Sequence, residues 1–578
     1  MARRILSIIP AILLSLCSPA LAGEPVTSEQ LLPKRTLAFV KMPNAAEFRR
    51  KWNASSFGAM QRDPAFRPFF ADLERQADRL AVGVKTTLGV GVRQLWLSLE
   101  GELGLALIHS PEAGFAFVAV GELGTDAQSA ARRLAALEAA VAARGSVGVR
   151  LKVADLDVTS WSFGSDAEKT TFSYFRRGGH IVLSHDLNAL LAVAAGTQGG
   201  RLESLAANPV YQYIADQTRA SSGEPAVQWY VDPVGALEAA VAANLEGNPN
   251  RDLITGLLAH SGIDQIKGIG GSIELASAFA DNITRTFGYV EPPAGGLLEA
   301  LKLPATQQVP PAWVKDDVNF YLQINWSGPR FYRAVADFFD SFRGAGSFRS
   351  LFGSGRLPNS ETTYEDVMHQ LVGPLHVVAK MPRSMRELFS QPAVLAVGVS
   401  DPKKAGEMIR RIADAAGARA ETVGKVPVYR LRFASPLGGQ DFEVAASVAE
   451  GALMISTSPR YLGSVLSGRG RKRPLAQSPT YQQATGQFPE KTSMISFQRQ
   501  DRRFEGLYEQ IRSGKLELPL YGGIVSGLGL DFSKLPPAQA LRPYLQTSSS
   551  FIEPADKGFR MIEIGYWPND PSREPPRD

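Results

Sequence analysis

Residues Ala116–Gly145 read AFVAVGELGTDAQSAARRLAALEAAVAARG, and Ala393–Ala420 read AVLAVGVSDPKKAGEMIRRIADAAGARA. Each is an apolar run, a polar turn and an alanine-rich amphipathic stretch. Ala130, Leu134, Leu137 and Val141 recur at helical spacing in the first, as do Ala405, Met408, Ile412 and Ala416 in the second. A strand leading into a helix is therefore expected twice. The matching continues outward in the same order. Upstream, TLAFVKM (from Thr36) answers VNFYLQI (from Val318), and LEGELGLAL answers LVGPLHVVA, with Gly101 opposite Gly373. Downstream, GHIVLSHDLNALL matches GALMISTSPRYLG, with Ser184 opposite Ser456. LAANPVYQ and LAQSPTYQ then align Pro209 with Pro479 and Tyr211 with Tyr481. SGIDQ answers LGLDF through Asp264 and Asp531, and FGYV answers IGYW. Ordered self-similarity over so long a period marks a duplication of large units, not a solenoid.

The expected organisation is a first unit over 31–291, a Pro-containing linker over 292–313, a second unit over 314–567 and a disordered proline-rich tail over 568–578. Short apolar runs with tight turns, such as Arg177-Gly178-Gly179, are interleaved with a few helices. That pattern predicts an α+β fold, with a largely antiparallel sheet in each unit and helices packed on it.

Composition narrows the class. Of 578 residues 44% are hydrophobic and 21% charged, which is globular. A formal net charge of +5 is too small for the length to point to nucleic acid. One cysteine and six histidines argue against disulfide scaffolds, multi-cysteine zinc sites and iron–sulfur clusters, and no cofactor is expected.

The N-terminus, MARRILSIIPAILLSLCSPALAGEP, has Arg3 and Arg4 before a short apolar stretch and Ala20-Leu21-Ala22 before Gly23. This reads as a signal peptide over 1–22, which implies export to the periplasm or outside the cell. Cys17 leaves a lipid anchor as the lesser alternative, because Leu16 is large where a lipobox takes a small residue. Cleavage would leave a cysteine-free chain stabilised by core burial alone. No later segment is apolar enough to span a bilayer.

The phrase LLPKRTLAFVKMP, Leu31 to Pro43, followed by Phe57-Gly58 and Asp63-Pro64-Ala65-Phe66-Arg67-Pro68, resembles the mature N-terminus of secreted bacterial proteins that share a domain of unknown function. The resemblance implies an envelope or extracellular location and carries over no site residue. In structural terms the phrase reads as a strand over Leu37–Val40 turning through Pro43-Asn44 into a helix.

Local chemistry is sparse. Gly89-Val90-Gly91 and Gly268-Ile269-Gly270-Gly271 lack the lysine of a phosphate loop. Ser400-Asp401-Pro402-Lys403 has the spacing of a serine–lysine nucleophile without its companion elements, and reads as a helix start. The histidines show no helical i, i+4 pair. Glu100 with Glu102, Asp155 with Asp157, and Glu365 with Asp366 read as solvated turn carboxylates. One charge run stands out. Arg469, Arg471, Lys472 and Arg473, in SGRGRKRPL, form a candidate polyanion-binding loop for an anionic envelope polymer or lipid. The expected function is that of an exported, non-enzymatic, envelope-associated or extracellular binding or structural protein. The alternative is a secreted hydrolase with its site in one copy or between the copies.

Overall fold

A computed structural model describes residues 26–80, 100–110, 114–122, 135, 139, 148–153, 155–163, 170–177, 179–196, 204–221, 223–244, 256, 260–293, 295–353, 355–356, 361–380, 392–433, 442–468, 473–500, 504–514 and 531–568. The expected signal segment with Cys17, and the tail from residue 569, lie outside these. So does most of the first expected helix, of which Ala135 and Ala139 are helical.

The fold is α+β, and every strand pairing is antiparallel. Ten strands belong to the N-terminal half: β1 Thr36–Met42, β2 Leu103–Ser110, β3 Gly114–Glu122, β4 Gly148–Val153, β5 Leu156–Phe163, β6 Thr170–Arg177, β7 His180–Ser184, β8 Val227–Val231, β9 Ile266–Leu275 and β10 Asn282–Val290. They pair in the order β4-β5-β6-β7-β3-β2-β1-β8-β9-β10. The C-terminal half supplies β11 Phe320–Ile324, β12 Leu371–Ala379, β13 Ala393–Val399, β14 Arg419–Val423, β15 Val426–Phe433, β16 Phe442–Ala449, β17 Ala452–Ser456, β18 Met494–Arg499, β19 Thr547–Ala555 and β20 Gly558–Gly565. Their order is β14-β15-β16-β17-β13-β12-β11-β18-β19-β20, the same pattern strand for strand.

The halves do not form two sheets. β10 pairs with β20, from Asn282 opposite Gly565 to Tyr289 opposite Gly558, so one twenty-stranded sheet runs through the molecule. Arg285 lies opposite Ile562, its own counterpart when FGYV is aligned with IGYW. The glycine of each GY pair has a reason at this seam. A Cβ on Gly288 would lie 2.6 Å from the Phe559 ring, and one on Gly565 would lie 2.6 Å from the Asn282 side chain.

The aligned residues perform the same local work. Ser184 Oγ donates to the Phe117 carbonyl at 2.8 Å and accepts the Asp186 N–H at 3.1 Å. Ser456 Oγ donates to the Ala393 carbonyl at 2.5 Å and accepts the Ser458 N–H at 3.0 Å. Each ties the end of a strand to the start of the following helix. Pro209 and Pro479 open helices at their first position, where a missing N–H costs nothing. Leu190 and Leu462, one per half, are fully buried under the sheet, each worth about 1.5–3 kcal/mol of transfer free energy.

One alignment needs correction. The string match sets Ala116 against Ala393, but the two serine bonds and the β3–β7 and β13–β17 registers set Phe117 against Ala393. With that shift Val118 and Val120 match Val394 and Ala396, all buried.

The helices that follow the first strand of each half reach across to the other half. Of the helices Ala45–Ala54, Ser56–Arg62 and Arg67–Leu80, the second meets the 3₁₀ turn Ala538–Tyr544 and the third meets the 3₁₀ turn Phe532–Lys534. Buried Asp281 accepts the Ser56 N–H and the Gln546 amide, both at 2.7 Å. Tyr544 donates to Asp63 at 2.9 Å, and the Phe66–Tyr544 and Phe69–Phe532 rings pack edge-on and stacked. Lys534 and Arg75 beside Asp72 hold its carboxyl down to about 2. On the other side, helix Gly328–Arg343 lies on the 3₁₀ turn Gly296–Leu301, and Phe342 packs beside His260 with ring centroids 4.9 Å apart. No helix among the described residues is long and apolar enough to cross a membrane.

Candidate functional site

Three of the four loop residues, Arg469, Arg471 and Lys472, lie outside the described residues. Arg473 is exposed, and its carbonyl accepts the Asp316 N–H at 3.0 Å. The Lys315–Pro474 bridge and the Leu475 N–H to the Val314 carbonyl fix the same foot of the loop.

The other chemistry-bearing residues sort by environment. Asp401 caps the helix Pro402–Ala415 by accepting the Lys403 and Lys404 N–H groups, and Ser400 Oγ donates to Gln370, so the serine–lysine spacing serves a helix start. Asp155 sits in the β4–β5 turn, while Asp157 is the second residue of β5, opposite Lys152. Asp366 completes a capping box with Thr363, and Glu365 pairs with Arg349 at 3.0 Å. Among the described residues no group of three or more His, Cys, Asp or Glu side chains stands together as a metal site.

Glu102 is a correction: it is not a solvated turn carboxylate. It is buried, accepts the Ser28 N–H at 2.7 Å and stands 3.6 Å from Lys41 Nζ, which also donates to both oxygens of Glu29. Burial of Lys41 requires such partners. The second half fills the same place differently. Gln323 stands where Lys41 does, and His376 stands where Gly104 does. Tyr321 donates to Gln323 Oε1 at 2.9 Å, and His376 Nδ1 lies 3.1 Å from the same phenol. Burial pushes the Tyr321 phenol up and the His376 imidazole down to about 4. Both clusters are nearly closed to solvent and work as internal struts of the sheet.

An open site lies at the junction of the halves. It is a cavity of about 830 Å³ between helix Pro479–Thr485, the 3₁₀ turn Ala538–Tyr544, the ends of β18 and β20, and the β9–β10 turn. Its walls bring guanidinium groups from Arg499 and Arg542, amides from Gln483 and Gln500, hydroxyls from Thr480 and Thr547, and the rings of Phe279, Tyr566 and Trp567.

Each wall is held from behind. Asn319 pins the backbone of Arg499 in both directions, accepting its N–H through the main chain and donating its amide to the Arg499 carbonyl. Gln500 and Gln546 bond to one another, and Gln546 reaches Asp281. Tyr566 donates to the Ala484 carbonyl at 2.7 Å and Trp567 to the Ser277 carbonyl at 3.1 Å. Burial raises the Tyr566 phenol, which keeps its proton for that bond. Arg542 makes a two-pronged pair with Glu505. Arg499 differs: its Nε is buried and has no hydrogen-bond partner among the described residues. A buried donor without an acceptor costs about 1–3 kcal/mol.

The cavity has the size of a small-molecule or oligomer subsite, and positive and uncharged polar groups line it. Among the described residues its lining brings no carboxylate, histidine, serine or cysteine side chain. Sequence reasoning missed it because no local motif joins Phe279 to Arg499 and Trp567. No family model, curated protein or solved structure matches the chain.

Proposed function

We propose that the protein is an exported, envelope-associated binding protein of two tandem homologous units, 31–291 and 314–567, with its ligand held where they meet. What supports the duplication is the strand order repeated across β1–β10 and β11–β20, with Arg285 facing its counterpart Ile562. The leader over 1–22 and the kinship of the Leu31–Pro43 phrase with secreted bacterial proteins belong to this reading. The ligand class is an anionic saccharide, as found along envelope polymers. Guanidinium groups answer its carboxylates or phosphates, amides and hydroxyls its hydroxyl groups, and aromatic faces its ring carbons.

The observation that carries the reading is the convergence of two arginines, Arg499 and Arg542, with the rings of Phe279, Tyr566 and Trp567 in one cavity wall. The loop Arg469, Arg471, Lys472 and Arg473 is the longer-range attractor in this reading, through a Coulomb term that salt screens.

Calorimetric titration with oligogalacturonate tests it. The intact protein should bind, and Arg499→Met should weaken binding about ten-fold or more, the worth of one charge-assisted bond. Replacing the four loop residues with Ser should abolish retention on heparin at low salt while leaving the oligomer titration within about two-fold. Absence of oligogalacturonate binding, or equal binding by R499M, contradicts the proposal.

A further inference from the structure

The three helices that follow β1 enclose a second cavity, of about 740 Å³, which shares no lining residue with the one at the junction. Each helix brings one guanidinium group to it: Arg49 from Ala45–Ala54, Arg62 from the end of Ser56–Arg62 and Arg67 from the start of Arg67–Leu80. Phe48, Trp52 and Phe70 supply the apolar part of the wall. The Phe48 and Trp52 rings stack with centroids 5.8 Å apart and planes at 22°. Buried Phe70 packs edge-on to Phe57, which packs edge-on to Trp52. The indole is held across the helix pair, where Trp52 Nε1 donates to Gln61 Oε1 at 2.9 Å. Arg62 Nη1 donates to Asn53 Oδ1 at 3.3 Å. The elbow between these helices is tight, since a Cβ on Gly58 would lie 2.0 Å from the Trp52 carbonyl oxygen. Aromatic wall and arginines are thus set by one compact turn.

Charge decides what fits. Residues 45–80 carry seven Lys and Arg side chains against five Asp and Glu. Three of those carboxylates are engaged outside the cavity. Glu47 pairs with Arg50 and Lys51, Asp72 pairs with Arg75 and Lys534, and Asp63 accepts the Tyr544 hydroxyl and the Ala65 N–H. Among the described residues Glu74 is the one carboxylate in the lining, beside three guanidinium groups. The cavity therefore keeps a balance of two positive charges, which matches the charge of about −2 on a phosphate monoester. Planar guanidinium forks take the phosphate oxygens, and the aromatic wall takes a ring attached to them. Inorganic phosphate would use the first part of the site only.

We propose that this cavity binds a phosphate monoester of a ring compound, with the arginines on the phosphate and the ring against Phe48 and Trp52. The site does not depend on what the junction cavity holds. Calorimetric titration of the full chain with phenyl phosphate tests it. Phenyl phosphate should bind, and about ten-fold or more tightly than inorganic phosphate, because its ring leaves water. Arg62→Met with Arg67→Met should weaken phenyl phosphate by about ten-fold or more, through the lost charge-assisted bonds. Both side chains are exposed, so the melting temperature should stay unchanged. Arg499→Met, at the junction cavity, should leave phenyl phosphate binding as it is. As a second measurement, phenyl phosphate should change the indole fluorescence of the parent, and Trp52→Phe should remove that change. Absence of phenyl phosphate binding overturns the proposal, as does equally tight binding of inorganic phosphate. So does undiminished binding by the double arginine variant, weakened binding by R499M, or a fluorescence change that survives W52F.

Discussion

Replacing Gly558 with valine is expected to open the seam between β10 and β20. Gly558 begins β20 with φ +130°, and a Cβ there would lie 1.9 Å from the Gly288 carbonyl oxygen. The neighbour is backbone of the partner strand, so no side-chain rotation relieves the clash. The cost combines the backbone conformation with the displaced strand, and belongs to the rare substitutions that destabilise by more than about 4 kcal/mol. Gly451→Val is the matched control. Gly451 also has positive φ, in the β16–β17 hairpin, but a Cβ there meets nothing within 4 Å. Its cost should stay near the conformational term of about 1–2 kcal/mol and leave the seam intact. Urea unfolding of the two variants checks the difference, and equal destabilisation would remove the steric argument.

Stability should also fall with acid through His376. Its imidazole is buried between Tyr321 and Trp313, with a pKa near 4 in place of 6.5. A base whose folded pKa is lowered binds more protons when unfolded, so stability is complete above pH 6.5 and is lost as pH falls toward 4. The lost contribution between pH 7 and pH 4 is about 3 kcal/mol. His376→Phe keeps the ring volume and the Tyr321–Gln323 bond while removing the proton site. Unfolding free energies at pH 7 and pH 4 should therefore differ by about 3 kcal/mol less in the variant than in the parent. Identical pH dependence in both would place the acid sensitivity elsewhere. The N-terminal half should lack this component at the corresponding place, since Gly104 stands where His376 does and Lys41 is paired with carboxylates.

These two residues show where sequence reading succeeds and where it stops. Ser184 and Ser456, Pro209 and Pro479, and Gly179 and Gly451 were legible because their roles are local: a strand end, a helix start, a tight turn. The α+β class followed from the same turn and helix signals. Register was harder. AFVAVG and AVLAVG match best one residue out of step, because alternating small apolar residues resemble themselves after a shift, and only the partner strand decides. The pairing of Lys41 with Glu102 was hidden because the carboxylate lies beside a turn in sequence and becomes buried only when β1 and β2 meet. The seam glycines were visible as a repeated GY pair, but their reason lies in the strand opposite. The junction cavity left no trace, since Phe279, Arg499, Arg542 and Trp567 converge only in the folded sheet.

The central claim is that both halves form one sheet through β10 and β20. Amide hydrogen exchange on the native protein tests it most directly. Peptides covering 282–290 and 558–565 should both be slow to exchange, with protection matching that of β1 and β11 in the middle of each half. Gly558→Val should release both peptides together. Fast exchange in either strand of the unaltered protein, at the rate of an exposed sheet edge, would contradict the account.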